Sequence, residues 1–483
     1  MIIGRCVGDA RIEEITFIST KMPEIGQYVI LEYDDKKILG MIEDLIRFNP
    51  ALDEELLSEE EVESIQKFEK KYVIKGKIKI LGDLENLRLP KVPPKPGTIV
   101  RIAEKSELEK IFGKSEKSIN IGKLLTNEDV EVYLDVNKMI SRHLAILSIT
   151  GAGKSNTVSV IVEELSKLGV TSLIFDMHSE YVDANFSKKK IIPTKINPLF
   201  LHFREAARMM NIEEGAYIQE MFFRKAWESV KEKLRDMKIK LDIDTFFDSL
   251  LRELEILSKK EKNSEESIYK VISKVENFRE KFKDIFDLSY DDVSNLIERG
   301  KINILDLGSV DEEVADIFVS HTLRKVLEER KRFKNSGVGL SFPVFIIIEE
   351  AHILIPKDFD TFTKYWASRI AREGRKFGVG LCLVSQRPKS LDSNTLSQAN
   401  NMIILKLVEP NDQKYVQAAS EMLTDELLIR LSSLNIGEAV VIGPMIRIPA
   451  IVKIKEFEGK ISGKDIDFIE ESKKIENKEI DLI

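Results

Sequence analysis

An α/β core, preceded by a small β-barrel and interrupted by an all-helical insertion, is the fold class this sequence predicts, on three observations. From about residue 120 onward, the apolar runs "HLAILSI", "TSLIF", "INILDLG", "PVFIIIE", "GVGLCLVS" and "NMIILKL" alternate with helical patterns. Near-continuous apolar strands are what a parallel sheet buried on both faces requires. The alternation stops between roughly 200 and 298, where helical periodicity alone remains. Residues 1 to about 80 show a third pattern, short apolar runs punctuated by turns.

In chain order, "MIIGRCV", "EITFIST", "GQYVILEY", "KKILGMIEDLI" and "YVIKGKIKIL" predict the strands of the barrel, with an acidic helical stretch near "DEELLSEEEVESIQKF" before the last of them. "LPKVPPKPGT" then predicts an extended linker, because four prolines within Pro90 to Pro96 forbid a helix and remove ladder donors. Residues 1–98 are therefore assigned to barrel and linker, 99–199 to the first part of the core, 200–298 to the helical insertion, 299–458 to the second part of the core and 459–483 to a charged tail. Within the insertion, "SIYKVISKVENFREKF" places Ile268, Val271, Ile272, Val275, Phe278 and Phe282 on one helical face, a core stripe in the first instance.

A chain of 483 residues with 43% hydrophobic content is long enough for about three domains with well-formed cores. No apolar run approaches the roughly 18 residues of a membrane span, and acidic residues come too early for a signal peptide, so a cytoplasmic protein is expected. Its two cysteines, Cys6 and Cys382, and five dispersed histidines show no zinc or disulfide spacing. A net charge of −8 excludes a protein coated in basic charge but not one that concentrates it in a channel. The Lys and Glu bias within the 32% of charged residues hints at a hot-growing source.

Four motifs carry chemistry. "LSITGAGKSNT" follows a buried strand and precedes the helical "VSVIVEELSKL", the context that marks a phosphate-binding loop. Backbone amides from Gly151 to Ser155 surround β- and γ-phosphates at the positive end of a helix dipole, Lys154 adds a point charge and the Ser155 hydroxyl ligates Mg²⁺. Gly151, Ala152, Gly153, Lys154, Ser155, Asn156 and Thr157 are the candidate nucleotide residues, and ATP with Mg²⁺ the expected ligand. Ser148 stands where the usual spacing has its first glycine, but at a strand end that needs no positive φ. In "PVFIIIEEAH", Glu349 is expected to orient the metal shell and Glu350 to polarise the attacking water. "LIFDMHSEY" brings Asp176, His178 and Glu180 to a strand end near the phosphate site, with Asp176 a further nucleotide residue and His178 either structural or functional. From 360 to 389, seven basic groups oppose two acids, and Arg372 and Arg375 lie three apart on one helix face. An arginine there can stabilise a γ-phosphate across a subunit boundary, whereas the plainer reading is a solvated basic helix.

Together with "LSSLNIGEAVVIG", these motifs resemble the archaeal HerA hexameric DNA helicase-translocases, within the FtsK/HerA class of ring-shaped DNA pumps, and the likeness extends over most of the chain. "TKYWASRIAREGRKFGVGL" with "LVSQRP" is its most specific part. The resemblance implies a RecA-like P-loop ATPase core, Glu350 as catalytic base, Arg375 as a finger into a neighbour's site, and Arg142 and Gln386 as phosphate-sensing residues. It also implies a homohexamer on double-stranded DNA, a barrel platform for a NurA-type nuclease, and end resection for recombinational repair alongside the break-processing nuclease complex. Lys357, Lys364, Tyr365 or Trp366 are candidate pore contacts to DNA, with Trp366 equally a core residue. Ser179, where relatives commonly have glycine, and Glu349, where many have Asp, are departures that put fine positioning in question. A DNA pump in another process, a protein-remodelling ring ATPase and an ATP-gated nuclease scaffold are the competing readings.

Overall fold

The computed structural model describes residues 1–19, 21–48, 63, 72–213, 215–235 and 242–460. The acidic helical stretch expected near residues 53–68 and nearly all of the tail lie outside the described residues. The chain forms two compact units. The first joins Met1–Met139, Leu144–Ile161 and Asn400–Glu456, and the second joins Ile140–His143, Val162–Ala399 and the segment from Phe457 onward.

In the first unit, β1 (Ile2–Val7), β2 (Glu14–Ser19), β3 (Tyr28–Tyr33), β4 (Lys36–Phe48), β5 (Val73–Asp83) and β6 (Ile99–Ile102) close a barrel in the order β1-β2-β5-β4-β3-β6. Alternate residues such as Ile15, Phe17, Ile78 and Ile80 point into a common core with Val29, Leu31, Ile38 and Val100. The boundary drawn at 98 falls inside this barrel. The closing strand β6 follows the proline-rich stretch and pairs antiparallel with both β1 and β3, because a barrel with a gap would leave two unpaired edges. The barrel is tied to the rest of its unit where the Tyr28 hydroxyl donates to the Pro449 carbonyl at 2.9 Å. Arg101 also bridges Glu32 and Glu107, each at 2.7 Å, and these bonds hold the Glu107 carboxyl down at about 2.

The rest of this unit is a sheet section built from β7 (Ser118–Leu124), β8 (Asn127–Asp135), β9 (Leu144–Leu147), β15 (Asn401–Ile404), β16 (Glu438–Ile442) and β17 (Ala450–Ile454). β9 and β15 run parallel, and from β15 the order β16-β17-β7-β8 is antiparallel throughout. Here the expected parallel sheet gives way: the short connections between β7 and β8 and between β16 and β17 allow only antiparallel pairing, and β15–β16 and β17–β7 pair antiparallel between segments distant in sequence.

The second unit holds a parallel section, β11-β12-β10-β13-β14, made of β10 (Thr171–Asp176), β11 (Lys189–Ile192), β12 (Ile302–Asp306), β13 (Val344–Ile348) and β14 (Val379–Ser385). Between β11 and β12 the described chain is helical, with helices Phe203–Met209, Tyr217–Arg235, Ile243–Lys260 and Glu265–Phe282. Ile268, Val271, Val275, Phe278 and Phe282 are buried as their spacing predicts, and they join a core around Trp227, which meets Phe246 edge-on at 5.2 Å.

Two helices frame the strands of this unit. Glu312–Ser336 starts at Asp311, whose side chain accepts from Val314 N, and ends at Gly337 with φ 73°. Phe362–Phe377, the basic helix, starts where Thr361 Oγ1 accepts from Lys364 N and the Asp316 carboxylate accepts from Phe362 N and Thr363 N at 3.0 and 2.8 Å. It ends at Gly378, φ 73°, and a side chain at Gly374 would meet the Val379 carbonyl at 2.6 Å, so glycine lets the helix turn tightly into β14.

His143 locks the entry to this arrangement. It is buried at φ 60°, its Nδ1 accepts from Leu381 N at 3.0 Å, and its Nε2 lies 3.0 Å from the Ala371 carbonyl. One nitrogen must accept and the other donate, so the ring is neutral, and burial lowers its pKa to about 4. The unfolded chain protonates this ring near 6.5 and the folded one resists, so stability is undiminished above 6.5 and falls as pH drops from there to about 4. This residue is expected to cost up to about 3 kcal/mol over that window. Denaturant unfolding at pH 7.5 and 4.5 checks it: His143→Asn, which tolerates the left-handed backbone, should start less stable yet lose this part of the acid dependence.

Candidate nucleotide site

The phosphate loop lies in the first unit. β9 is fully buried and in register with β15, Ile146 opposite Ile403, so the chain emerges rigidly held at its carboxyl end. Ser148 is wholly buried and is not among the residues of positive φ, which explains why no glycine is needed there. The positive φ values fall at Gly151, 74°, and Gly153, 102°. A side chain at Gly153 would also come within 3.4 Å of Gly437, whose N–H donates to the Ala152 carbonyl at 3.0 Å. The turn before β16 therefore braces the loop.

These contacts divide the expected nucleotide residues. Gly151, Gly153, Lys154 and Ser155 sit at the accessible loop and helix start, where the helix Lys154–Lys167 cannot satisfy its own first amides. Ala152 and Thr157 are buried, and the Thr157 hydroxyl donates to the Gly153 carbonyl at 2.9 Å. Asn156 Nδ2 donates to the Lys455 carbonyl at 2.9 Å. The side chains of Asn156 and Thr157 thus shape the loop, and the nucleotide contact expected of Ala152, Asn156 and Thr157 is a matter of backbone and not of these side-chain atoms.

The acids belong to the second unit. β13 is fully buried and delivers Glu349 and Glu350, 4% and 2% exposed, at its carboxyl end. The hydroxyl of Tyr181, itself wholly buried, donates to Glu349 Oε1. Burial, followed by the charge of Glu349, keeps that phenol protonated far above its ordinary range. Asp176 serves the same loop. It is 1% exposed and accepts from the backbone amides of His178, Glu180 and Tyr181, so it anchors the turn and is not open to a nucleotide. Burial raises its pKa and the three amides oppose the rise.

Ser179 explains its own departure from glycine. Its φ is 56°, the region glycine favours, and its hydroxyl donates to Asp306 Oδ1 at 2.7 Å. The bond offsets the backbone strain. His178 is exposed, with Nε2 3.8 Å from Glu350 Oε1, while His352 Nδ1 lies 3.2 Å from Glu350 Oε2. Glu350 itself takes φ 43° and ψ 44° at the start of the short helix Ala351–Leu354.

The arginines stand elsewhere. β13 and β14 pair in register, Val344 with Val379 and Ile348 with Leu383. Arg375 precedes Val379 and so lies at the amino edge of this section, whereas Glu349 and Glu350 follow Ile348 at the carboxyl edge, roughly 15 Å away at a strand rise of about 3.3 Å per residue. The exposed Arg375 guanidinium has no partner among the described residues, and neither has that of Arg142, which His143 holds beside the first half of β14. Arg369 is spent on Glu373 at 2.6 Å, and Lys331 reaches the same carboxylate at 2.7 Å. Buried Arg330 donates to the carbonyls of Phe377 and Leu340, fixing the end of the helix that carries Arg375. Gln386 follows β14 directly at the carboxyl edge, partly exposed.

Of the suggested DNA contacts, Lys357 is exposed on the loop before the basic helix. Lys364 is not available in the same way: its side chain is 17% exposed, pairs with Asp360 at 3.1 Å and donates to the Phe359 carbonyl. Trp366 packs edge-on against Tyr365 and under the Arg369 guanidinium at 5.2 Å, a half-buried structural position. Tyr181, His352, Ser385 and Gly437 lie inside the quoted motifs but were given no role there, and Arg330 lies outside them, since the contacts that give these residues their roles depend on the fold.

No cluster of three or more His, Cys, Asp or Glu suited to a metal occurs among the described residues. Magnesium carried by ATP needs no such cage, because phosphates and water supply most of its ligands. The Ser155 hydroxyl at the loop and the Glu349 carboxylate, with one oxygen given to Tyr181, fit that role in chemistry.

Ser179→Gly loses a hydrogen bond and relieves the left-handed strain, each about 1 kcal/mol, so near-wild-type stability is expected. Ser179→Ala keeps the strain and loses the bond, so it should be the less stable of the two by about 1 kcal/mol in denaturant unfolding.

Comparison with known proteins places this architecture. Residues 119–326 match the family described as "Helicase HerA, central domain", and residues 3–86 match the HAS barrel domain. The chain is 46% identical over 484 residues to the DNA double-strand break repair helicase HerA of Sulfurisphaera tokodaii, covering 98% of this chain and 97% of that one. It is 43% identical over 489 residues to the protein of the same name from Saccharolobus solfataricus, covering 99% and 97%. Among solved structures, VirB4 of Thermoanaerobacter pseudethanolicus superimposes with a TM-score of 0.53 at 14% identity, over 71% of this chain and 98% of that one. The plasmid coupling protein TrwB in complex with ADP and Mg²⁺ gives 0.52 at 14% identity, over 75% and 95%, a likeness of fold. With its end-to-end similarity to these relatives, its HAS barrel and its phosphate-loop core, the chain belongs to the HerA helicase family.

Proposed function

We propose that this protein hydrolyses ATP with Mg²⁺ to move along double-stranded DNA during break repair, as a ring of identical copies. The observation that carries the reading is the placement of Arg375 at one edge of the parallel section and Glu350 at the other. A finger that cannot reach its own chain's base acts on a neighbour, and head-to-tail repetition of that contact closes a ring. The names of the relatives, DNA double-strand break repair helicases, support DNA as the track. The motif resemblance supports six subunits, a NurA-type nuclease partner on the barrel and cooperation with the break-processing nuclease complex.

In this reading the phosphates rest on the amides from Gly151 to Ser155 and on Lys154. Ser155 and Glu349 would hold the Mg²⁺ shell, which would supply charge neutralisation on the phosphates. Glu350 takes a proton from the attacking water as the new P–O bond forms and the bond to the leaving β-phosphate oxygen breaks. Arg375 of one copy offers its guanidinium to the γ-phosphate held by the next, so loss of that phosphate weakens the contact between copies. Arg142 and Gln386 read the phosphate state. Lys357 and the exposed Tyr365 are the remaining candidates for sequence-independent grip on the DNA backbone.

Lys154→Ala should abolish turnover through lost phosphate binding. Arg375→Ala and Glu350→Gln should each lower ATPase activity by about 10³-fold or more while keeping nucleotide binding. Mixed one to one, they should recover up to about a quarter of wild-type activity, the share of interfaces that pairs an intact base with an intact finger. Normal hydrolysis by Arg375→Ala alone, or no recovery on mixing, rules out the finger. ATPase assays with blunt, tailed and no DNA test the track: stimulation by duplex is expected, and indifference to DNA identifies a protein-remodelling ring instead.

A further inference from the structure

We propose that His352 is a positioning residue that sets the orientation of the Glu350 carboxylate according to the state of the turn after β14, a role that rests on the reading of Glu350 as the base. Three observations carry it. His352 Nδ1 has two polar neighbours, Ser385 Oγ at 3.3 Å and Glu350 Oε2 at 3.2 Å. Ser385 is wholly buried at the last position of β14, and its Oγ accepts from the Arg387 amide at 3.0 Å, so the hydroxyl is bound to the turn that contains Gln386. Glu350 is 2% exposed and sits in left-handed backbone, which gives its carboxylate little freedom except rotation of the side chain itself.

A neutral imidazole nitrogen either carries the proton or accepts one, never both. When Ser385 donates its hydroxyl to Nδ1, the lone pair is used and Nδ1 offers Glu350 nothing, so the carboxylate is released to turn away from the attacking water. When Nδ1 carries the proton, it donates to Glu350 Oε2 and so aims the other oxygen, Oε1, at the side open to water. Movement of Gln386 and Arg387 displaces the Ser385 hydroxyl through its bond to the Arg387 amide and so selects between the two arrangements. His178, 3.8 Å from the other oxygen and exposed, leaves that side open to solvent and ligand.

The test uses the full chain with His352→Leu, His352→Asn, Ser385→Ala and the Leu/Ala double variant, assayed for steady-state ATP hydrolysis with and without duplex DNA and for thermal unfolding. His352→Leu is expected to lower kcat at least about tenfold while KM changes less than about twofold, the pattern of an interaction needed only for the chemical step. His352→Asn, whose amide keeps a polar atom near the Nδ1 position, should recover most of that loss. The double variant should lose no more rate than the worse single one, while the shifts in unfolding midpoint add, because the two residues act on rate as one unit. Wild-type kcat in His352→Leu, or rate losses that multiply in the double variant, overturns the proposal. Should His352→Leu fail to fold, Ser385→Ala decides: kcat without duplex DNA raised at least about threefold at constant KM supports the coupling, and an unchanged or lowered kcat overturns it. The underlying reading fails separately, if Glu350→Gln hydrolyses ATP normally.

Discussion

Two carboxylates buried side by side are the constraint on which the second unit turns. Glu349 and Glu350 leave β13 almost without solvent, and like charges held that close in a poorly solvated place are costly unless each meets polar groups of its own. The structure answers with separate partners: the buried Tyr181 hydroxyl for Glu349, and the imidazoles of His352 and His178 within 4 Å of Glu350. Tyr181 reaches its place because Asp176 gathers the loop amides of His178, Glu180 and Tyr181 onto one carboxylate. Ser179 pins the same loop to Asp306 at the end of β12. The fold thereby converts an electrostatic liability into a fixed pair of acids with distinct surroundings, which is what separate roles in phosphate chemistry require.

The same parallel register that packs the sheet also separates the basic groups from the acids. A helix returning from the end of one parallel strand to the start of the next must deliver its last turn to the amino edge, so Arg375, beside Gly378, cannot sit with Glu350. Arg330 and the glycine cap stiffen that last turn, and His143 binds Arg142 to the same helix and strand. The result is a parallel section with acids at its carboxyl edge and, toward its amino edge, arginines without a partner among the described residues.

Much of this was legible in the sequence. The six apolar runs named from "HLAILSI" to "NMIILKL" are all strands, the insertion is helical, and Ile268 to Phe282 bury the predicted face, because each of these depends on residues close in sequence. β8, "NEDVEVYLD", was not singled out although Val130, Val132 and Leu134 alternate with polar residues, and β11, four residues with two lysines, is too short to stand out from a loop. β6 was lost behind the prolines, and its identity as the barrel's closing strand lies in its pairing with β1 and β3, which no local signal records.

The inventory of reactive groups is therefore a property of the sequence: a loop with glycines where φ is positive, a lysine and serine at a helix start, two acids at a strand end and a run of arginines before another. Each follows from short-range rules of backbone sterics and strand–loop–helix order. Tertiary structure alone decided which of those groups are spent and which remain available. Asp176, Asn156, Thr157 and Lys364 look like ligand residues in one dimension and have side chains bonded to backbone, while Tyr181 and His352 come to lie against the acids and Ser385 against His352. The reason is physical: a hydrogen bond is satisfied by whatever the fold brings within about 3 Å, and the partners here lie up to about 300 residues apart along the chain.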